Sequence, residues 1–368
     1  MALPMTNPKI RLAQPIMGDS ELQAVQRVLA SGILTNGPET EAFEEEFARA
    51  HKVPYAVALS NGTVALAAVL LAHGIGPGDE VVVPSFTFIS TATAVLHVGA
   101  LPVFAEIHPD TLTLDAGHAA ALITSRTKAV IAVHYAGQAA DMTELRAVAE
   151  RAGVLLFEDA AEAHGATYRG RPVGGLADGG MFSFTPTKNI TMGEGGLITT
   201  HDAGCARRLR RLRNHGVAEG IPRTSVGYNW RLSEIQAAVG RAQLQKLNGI
   251  LERKRANADL LAGLLHAADV VFPPGRSDRT PTFMLMTLRS ATRRDALVAG
   301  LLDRGIEARI YFPPAHLDAV FAARGIRLPR TEQIASTVFS IPFHARLTED
   351  ELRLMASEIT DLAPRRAA

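Results

Sequence analysis

The chain has 368 residues, enough for two domains with substantial cores, and its 47% hydrophobic and 20% charged residues are those of a globular protein, not a disordered chain. Lys and Arg number 38 against 37 Asp and Glu, so no net field draws the chain to nucleic acid or an anionic membrane. The one cysteine, Cys205, excludes an intramolecular disulfide and any multi-cysteine metal site.

Taken in order, residues 1–9 lack the charged and apolar regions of a signal peptide, and no later apolar run is long enough to span a bilayer. The expectation is a cytoplasmic protein. Asp19, Ser20 and Glu21 open a helix that ends at Ser31-Gly32, and 38–50 reads as a second, acidic helix. A strand at 55–59 leads into a buried helix at 62–72. Then come a strand at 80–84, a helix through His97, strands at 102–105 and 129–133, a helix at 142–152 and a strand at 154–157. Short, continuous apolar strands alternating with helices predict an α/β fold whose largely parallel sheet is covered on both faces. Such sheets bind ligands at the carboxyl ends of their strands.

A helical stretch from Leu232 to about Leu264 leads into a smaller unit. That unit reads as a strand at 282–286, a helix from Arg293, a strand at 306–310 and a last helix at 348–360, with a loop at 272–275 near the boundary. The expected division is a large domain at 1–250, including the N-terminal segment, and a small C-terminal domain at 251–368.

Three polar features lie at or just beyond predicted strand ends. Ser60-Asn61-Gly62-Thr63 opens a helix, where backbone N–H groups can bind a phosphate, although a capped turn looks the same. Asp159, in Glu158-Asp159, can cap a helix, pair with a surface base or keep a pyridine nitrogen protonated. Lys188 stands in Phe182-Ser183-Phe184-Thr185-Pro186-Thr187-Lys188-Asn189, ahead of Gly193-Glu194-Gly195-Gly196. Most lysines are merely solvated. In this order, however, a lysine able to form a Schiff base, a carboxylate for a ring nitrogen and a serine for a phosphate make up the layout of pyridoxal phosphate (PLP) chemistry.

With these residues, the flanking segments resemble the sugar aminotransferases of the DegT/DnrJ/EryC1/StrS group over nearly the whole chain. The matching runs include Ser31-Gly32-Ile33-Leu34-Thr35-Asn36-Gly37-Pro38, Gly78-Asp79-Glu80-Val81-Val82-Val83-Pro84-Ser85-Phe86-Thr87-Phe88, Glu158-Asp159-Ala160-Ala161-Glu162-Ala163-His164-Gly165-Ala166, Arg213-Asn214-His215-Gly216 and Tyr228-Asn229-Trp230-Arg231-Leu232-Ser233-Glu234. The resemblance implies PLP-dependent transferase fold type I: a large domain with a mostly parallel seven-stranded sheet and a smaller C-terminal α/β domain.

The resemblance also assigns roles. Lys188 matches the Schiff-base lysine and Asp159 the pyridinium partner. Gly62, Thr63 and Ser183 match the phosphate cradle, and Phe88 the aromatic residue stacked on the ring, with a core phenylalanine as the alternative. Glu162 departs from the glutamine or histidine often found near the ring hydroxyl. Asn229 matches an asparagine that reaches the neighbouring subunit's phosphate, which implies a homodimer with shared active sites; an ordinary loop asparagine is the alternative. Thr35, Tyr311 and His316 lie in segments resembling nucleotide-sugar contacts, with His316 equally readable as a structural loop histidine. The other histidines do not cluster with Cys, Asp or Glu at ligand spacing, so no metal is expected.

The implied reaction moves an amino group from L-glutamate to a nucleotide-linked keto-deoxysugar, at C3 or C4, for amino-sugar or polysaccharide biosynthesis. The run from Thr191 to Gly196 leans toward C4. A ketocyclitol acceptor is the alternative. A dehydratase of this family would carry histidine in place of Lys188, and a PLP-binding regulator would usually carry a DNA-binding domain, of which the sequence shows no sign.

Overall fold

The structure, a computed structural model, describes residues 8–217, 226–272 and 275–364. Helices α1 (Asp19–Ser31) and α2 (Pro38–Ala50) precede β1 (Tyr55–Leu59). There follow α3 (Gly62–Ala72), β2 (Glu80–Pro84), α4 (Ser90–His97), β3 (Leu101–Ala105), α5 (Ala116–Ala121), β4 (Thr127–Val133), α6 (Met142–Ala152) and β5 (Leu155–Asp159). A short hairpin, β6 (Thr167–Tyr168) and β7 (Arg171–Pro172), leads to β8 (Gly179–Ser183), β9 (Gly196–Thr200), α7 (Ala203–Arg213) and the long α8 (Glu234–Leu264). The remaining elements are β10 (Arg279–Thr280), β11 (Met286–Arg289), α9 (Arg294–Asp303), α10 (Ala319–Ala322), α11 (Pro329–Ala335), β12 (Val338–Ile341) and α12 (Glu349–Leu362).

Seven strands form one sheet in the order β1-β9-β8-β5-β4-β2-β3. Only β9 runs against its neighbours, so the sheet is mostly parallel. Alternation along single strands shows two covered faces. In β1, Ala56 and Ala58 join a core shared with α2, α6 and α8, while Val57 and Leu59 join the opposite core with α3, α4 and α7. Helix α3 is apolar nearly all round because β8, β9, α4 and α7 all pack on it.

Helix α8 starts in a capping box between Ser233 and Gln236. Its first half carries Ala237, Leu247 and Leu251 into the core beneath the sheet. Its second half carries Ala258 and Leu261 into a separate core built from β11, α9, β12 and α12, which Ile10 also joins. Polar pairs fix α8 against the N-terminal helices: Lys246 Nζ lies 2.6 Å from Glu21, and Arg241 bridges Glu39 and Glu46.

Two C-terminal expectations need correction. The strand expected at 282–286 starts at Met286; residues ahead of it form a loop whose Thr282 and Met284 N–H groups donate to Gly137 and Ala136 carbonyls. The stretch 306–310 is not a strand. It makes only isolated bridges, Ile306 with Ile10 and Arg309 with Ser340, because it changes partner midway and neither contact extends into a ladder. Pro273 and Pro274, in the expected boundary loop, lie outside the described residues. Strands β8, β9 and β12 and helix α7 were not among the expected elements. Among the described residues, no helix is long and apolar enough to cross a membrane.

Candidate active site

At the carboxyl edge of the large sheet lies a cavity of about 600 Å³. Gly62, Thr63, Phe88, Asp159, Glu162, Ser183, Lys188 and Tyr311 all line it, brought together from the ends of β1, β2, β5 and β8 and from the C-terminal unit. Residues far apart in sequence converge because parallel strands deliver successive loops to the same edge.

One end of the cavity is the start of α3. A helix start leaves its first N–H groups without intrahelical partners. Asn61 Oδ1 accepts that of Val64 at 2.9 Å, and the Thr63 hydroxyl donates to Ser90 at 2.8 Å. A Cβ on Gly62 would sit 2.9 Å from the Ser183 Cβ, so only glycine lets the helix start and Ser183 approach this closely. Gly196 is constrained in the same way: a Cβ there would lie 2.1 Å from the Asn61 carbonyl oxygen, across the β1–β9 pairing.

The other end holds two buried carboxyls and one amine. Asp159 ends β5, where Oδ2 accepts from the Thr91 hydroxyl at 2.8 Å and Oδ1 from the Ala161 N–H at 3.2 Å. Burial pushes its carboxyl above the ordinary value, against the pull of these two donors and of Lys188. Glu162 Oε2 accepts the Ala136 N–H at 2.7 Å, and its Oε1 lies 3.8 Å from Lys188 Nζ. Burial raises the Glu162 carboxyl too, with the Lys188 charge opposing. The neighbouring Glu158 plays a different part. It accepts from Gly174 and Leu176 N–H groups and pairs with His134 at 2.9 Å, anchoring β5 behind Asp159.

Phe88 is 56% exposed and faces the cavity 5.8 Å from Phe312, which removes the alternative of a core phenylalanine. Three expected residues do not line the cavity of this chain. Thr35 is exposed in a bridge to Ser233, and Asn229 is exposed in a bridge to Asn214. His316 is buried, with Nδ1 2.6 Å from the Ser85 hydroxyl and Nε2 3.2 Å from Glu332, so both ring nitrogens are engaged in holding the loop. The substrate contact expected of His316 gives way to this structural role.

Sequence reasoning missed Thr91, Phe312 and the Ala136 N–H. Thr91 shares α4 with Ser90, Thr93 and His97, so its polarity does not single it out, and the other two carry no local signal either.

The model of the DegT/DnrJ/EryC1/StrS aminotransferase family matches residues 15–360. The chain belongs to this family. The aminotransferase is 41% identical over 348 residues to the dTDP-3-amino-3,4,6-trideoxy-alpha-D-glucose transaminase of Streptomyces venezuelae, covering 93% of this chain and 92% of that protein. A pleiotropic regulatory protein of Geobacillus stearothermophilus is 36% identical, with 92% and 93% covered. Among solved structures, Streptomyces venezuelae DesV superposes with a TM-score of 0.90 at 40% identity, covering 94% of this chain and 95% of DesV. TlmJ from Streptoalloteichus hindustanus reaches 0.92 at 33% identity, covering 96% and 98%.

Family members are PLP-dependent, and the cavity fits that cofactor. The glycine-only approach at Gly62 leaves room for a phosphate between the α3 start and Ser183. Asp159 is a buried acceptor that a protonated ring nitrogen would neutralise. Phe88 offers an exposed ring face.

Proposed function

We propose that the aminotransferase moves an amino group from L-glutamate to a nucleotide-linked keto-deoxysugar, at C3 of the sugar. The observation that carries this is the match, over nearly the whole chain, to a transaminase named for a dTDP-linked 3-amino sugar, combined with a cavity that presents Lys188 and Asp159 together. That match outweighs the C4 lean of residues 191–196. In that run the Thr191 hydroxyl donates to the Phe184 carbonyl, Gly196 allows close packing on the Asn61 backbone, and only Glu194 lines the cavity.

In this proposal Lys188 Nζ holds the cofactor at rest. Once displaced, it removes the Cα proton of the amino donor and later returns it. Bound PLP supplies an electron-accepting ring that stabilises charge developing at the donor Cα. Asp159 keeps the ring nitrogen protonated, while Gly62, Thr63 and Ser183 hold the phosphate and Phe88 fixes the ring plane. Tyr311 meets the acceptor sugar.

The proposal extends to the assembly. Asn229, exposed and away from its own cavity, serves the site of a second copy in a homodimer, and Thr35 faces the same shared region. The chain divides into domains within α8, near residue 250, and works in the cytoplasm.

Incubation with L-glutamate and a panel of keto sugars and cyclitols tests the function, with products identified by mass spectrometry and NMR. Amination of a ketocyclitol alone, or of no sugar, overturns it.

A further inference from the structure

Lys188 shares its buried end of the cavity with two carboxyl groups. Asp159 and Glu162 are 6% and 5% exposed, and one amine faces both. The two carboxyls are not equivalent. Each Asp159 oxygen already has a donor, from Thr91 and Ala161. Glu162 has the Ala136 N–H on Oε2, which leaves Oε1 directed at Lys188 Nζ across 3.8 Å. That separation admits a direct hydrogen bond after a small side-chain rotation.

Asp159 acts on both members of this pair, and its charge raises Glu162 further, while the nearby phenols and imidazole are neutral. The Tyr135 phenol, from the turn after β4, is raised by burial and stays neutral. Tyr311, from the C-terminal unit, is raised likewise and pairs with Arg309. His164 is buried, and burial pushes it well below its ordinary value, so it too is neutral.

We propose that Glu162 is the proton partner of Lys188. Oε1 takes the proton that must leave the Nζ ammonium before the amine can attack a carbonyl, and gives it back when the amine is released. An N–H bond at Nζ breaks as an O–H bond forms at Oε1; its electron pair stays on nitrogen, and no other reactant is consumed. Burial favours the neutral pair over the ion pair more than water would, so the exchange is accessible near neutral pH. The proposal rests on Lys188 being the reacting amine, but on no particular substrate.

The test uses cofactor-free protein, so it is independent of turnover. Trace acylation with acetic anhydride over a range of pH, read by peptide mass spectrometry, follows Lys188 against Lys52 as an internal reference. Glu162→Gln keeps the size and the acceptor for Ala136. It is expected to acylate at Lys188 about tenfold more slowly near neutral pH, because the ammonium has lost its proton acceptor, and to lose the acid-side inflection of the profile. Glu162→Asp, which keeps the charge, retains the inflection. The reciprocal measurement is the carboxyl carbon-13 titration of Glu162, which should move to higher pH in Lys188→Met. A wild-type pH profile in Glu162→Gln, or a rate change with no change of profile shape, overturns the proposal, as does an unmoved Glu162 titration in Lys188→Met. Failure of sugar amination with an intact Lys188–Glu162 coupling would instead count against the proposed function alone.

Discussion

The Thr91 hydroxyl donates to Asp159 Oδ2 at 2.8 Å, joining the first turn of α4 to the end of β5 inside the buried edge of the cavity. A buried carboxylate needs such donors, because burial alone favours its neutral form. Thr91→Val keeps the shape and removes the donor. A hydrogen bond to a charged group contributes about 1.5–3 kcal/mol, so kcat is expected to fall about tenfold or more, with an unchanged circular dichroism spectrum. A kcat within about twofold of wild type would show that Asp159 does not depend on Thr91.

Gly62→Ala places a methyl 2.9 Å from the Ser183 Cβ and 3.2 Å from its hydroxyl oxygen. Ser183 cannot retreat, since β8 is buried along its length. Overpacking of this kind costs about 1–3 kcal/mol. PLP affinity, titrated by absorbance on cofactor-free protein, should drop by about tenfold or more, with a melting temperature lowered by only a few degrees. Wild-type affinity would remove the phosphate cradle from the α3 start.

Lys188→Ala should abolish the visible absorption band of the cofactor-bound protein and lower turnover by roughly a thousandfold or more, as expected for loss of a proton-transferring nucleophile. An unchanged band would assign the Schiff base to another lysine.

His51 predicts an acid-labile fold. Its ring stacks on Phe47 with centroids 4.1 Å apart, and burial pushes it down from 6.5 to about 4. Between those values the unfolded chain binds a proton that the folded chain does not. Stability from this group is therefore complete above about pH 6.5 and lost as pH falls toward 4, by about 3 kcal/mol in full. Urea unfolding at a series of pH values should show this acid limb, and His51→Phe should make it shallower, with His164 and His344, lowered likewise by burial, supplying the remainder. An equally steep limb in the variant would place the acid sensitivity elsewhere.

Mixed refolding of Lys188→Ala and Asn229→Ala chains tests the shared site. Random pairing into two-fold dimers makes half of them hybrids, each with one intact site, so about a quarter of wild-type activity should return. Recovery no higher than either variant alone would show that Asn229 does not serve a partner's site.

Five of the seven strands of the large sheet were legible because they are short apolar runs buried on both faces; β8 and β9, which open on glycine, were missed. Gly62, Thr63 and Asp159 were legible because each stands at or just beyond such a run; Phe88, Glu162 and Tyr311 came from the family resemblance. Reading failed where local pattern and tertiary partner part company. The 282–286 run is apolar because Met284 and Leu285 wall the cavity, not because it pairs in a ladder. The 306–310 run divides its bridges between Ile10 and Ser340 and completes a ladder with neither. His316 looks like a ligand-binding histidine until Ser85 and Glu332 are found on its two nitrogens.

Sequence alone determined the family and the cofactor through its resemblance to the DegT/DnrJ/EryC1/StrS group, and local strand and turn signals placed Gly62 and Asp159 at one sheet edge. Only the tertiary structure decided which groups share a buried space: Thr91 on Asp159, Glu162 facing Lys188, His316 turned into the protein. These are contacts between segments far apart in the chain, and burial, which sets their charge, is a property of the packed molecule and of no segment within it.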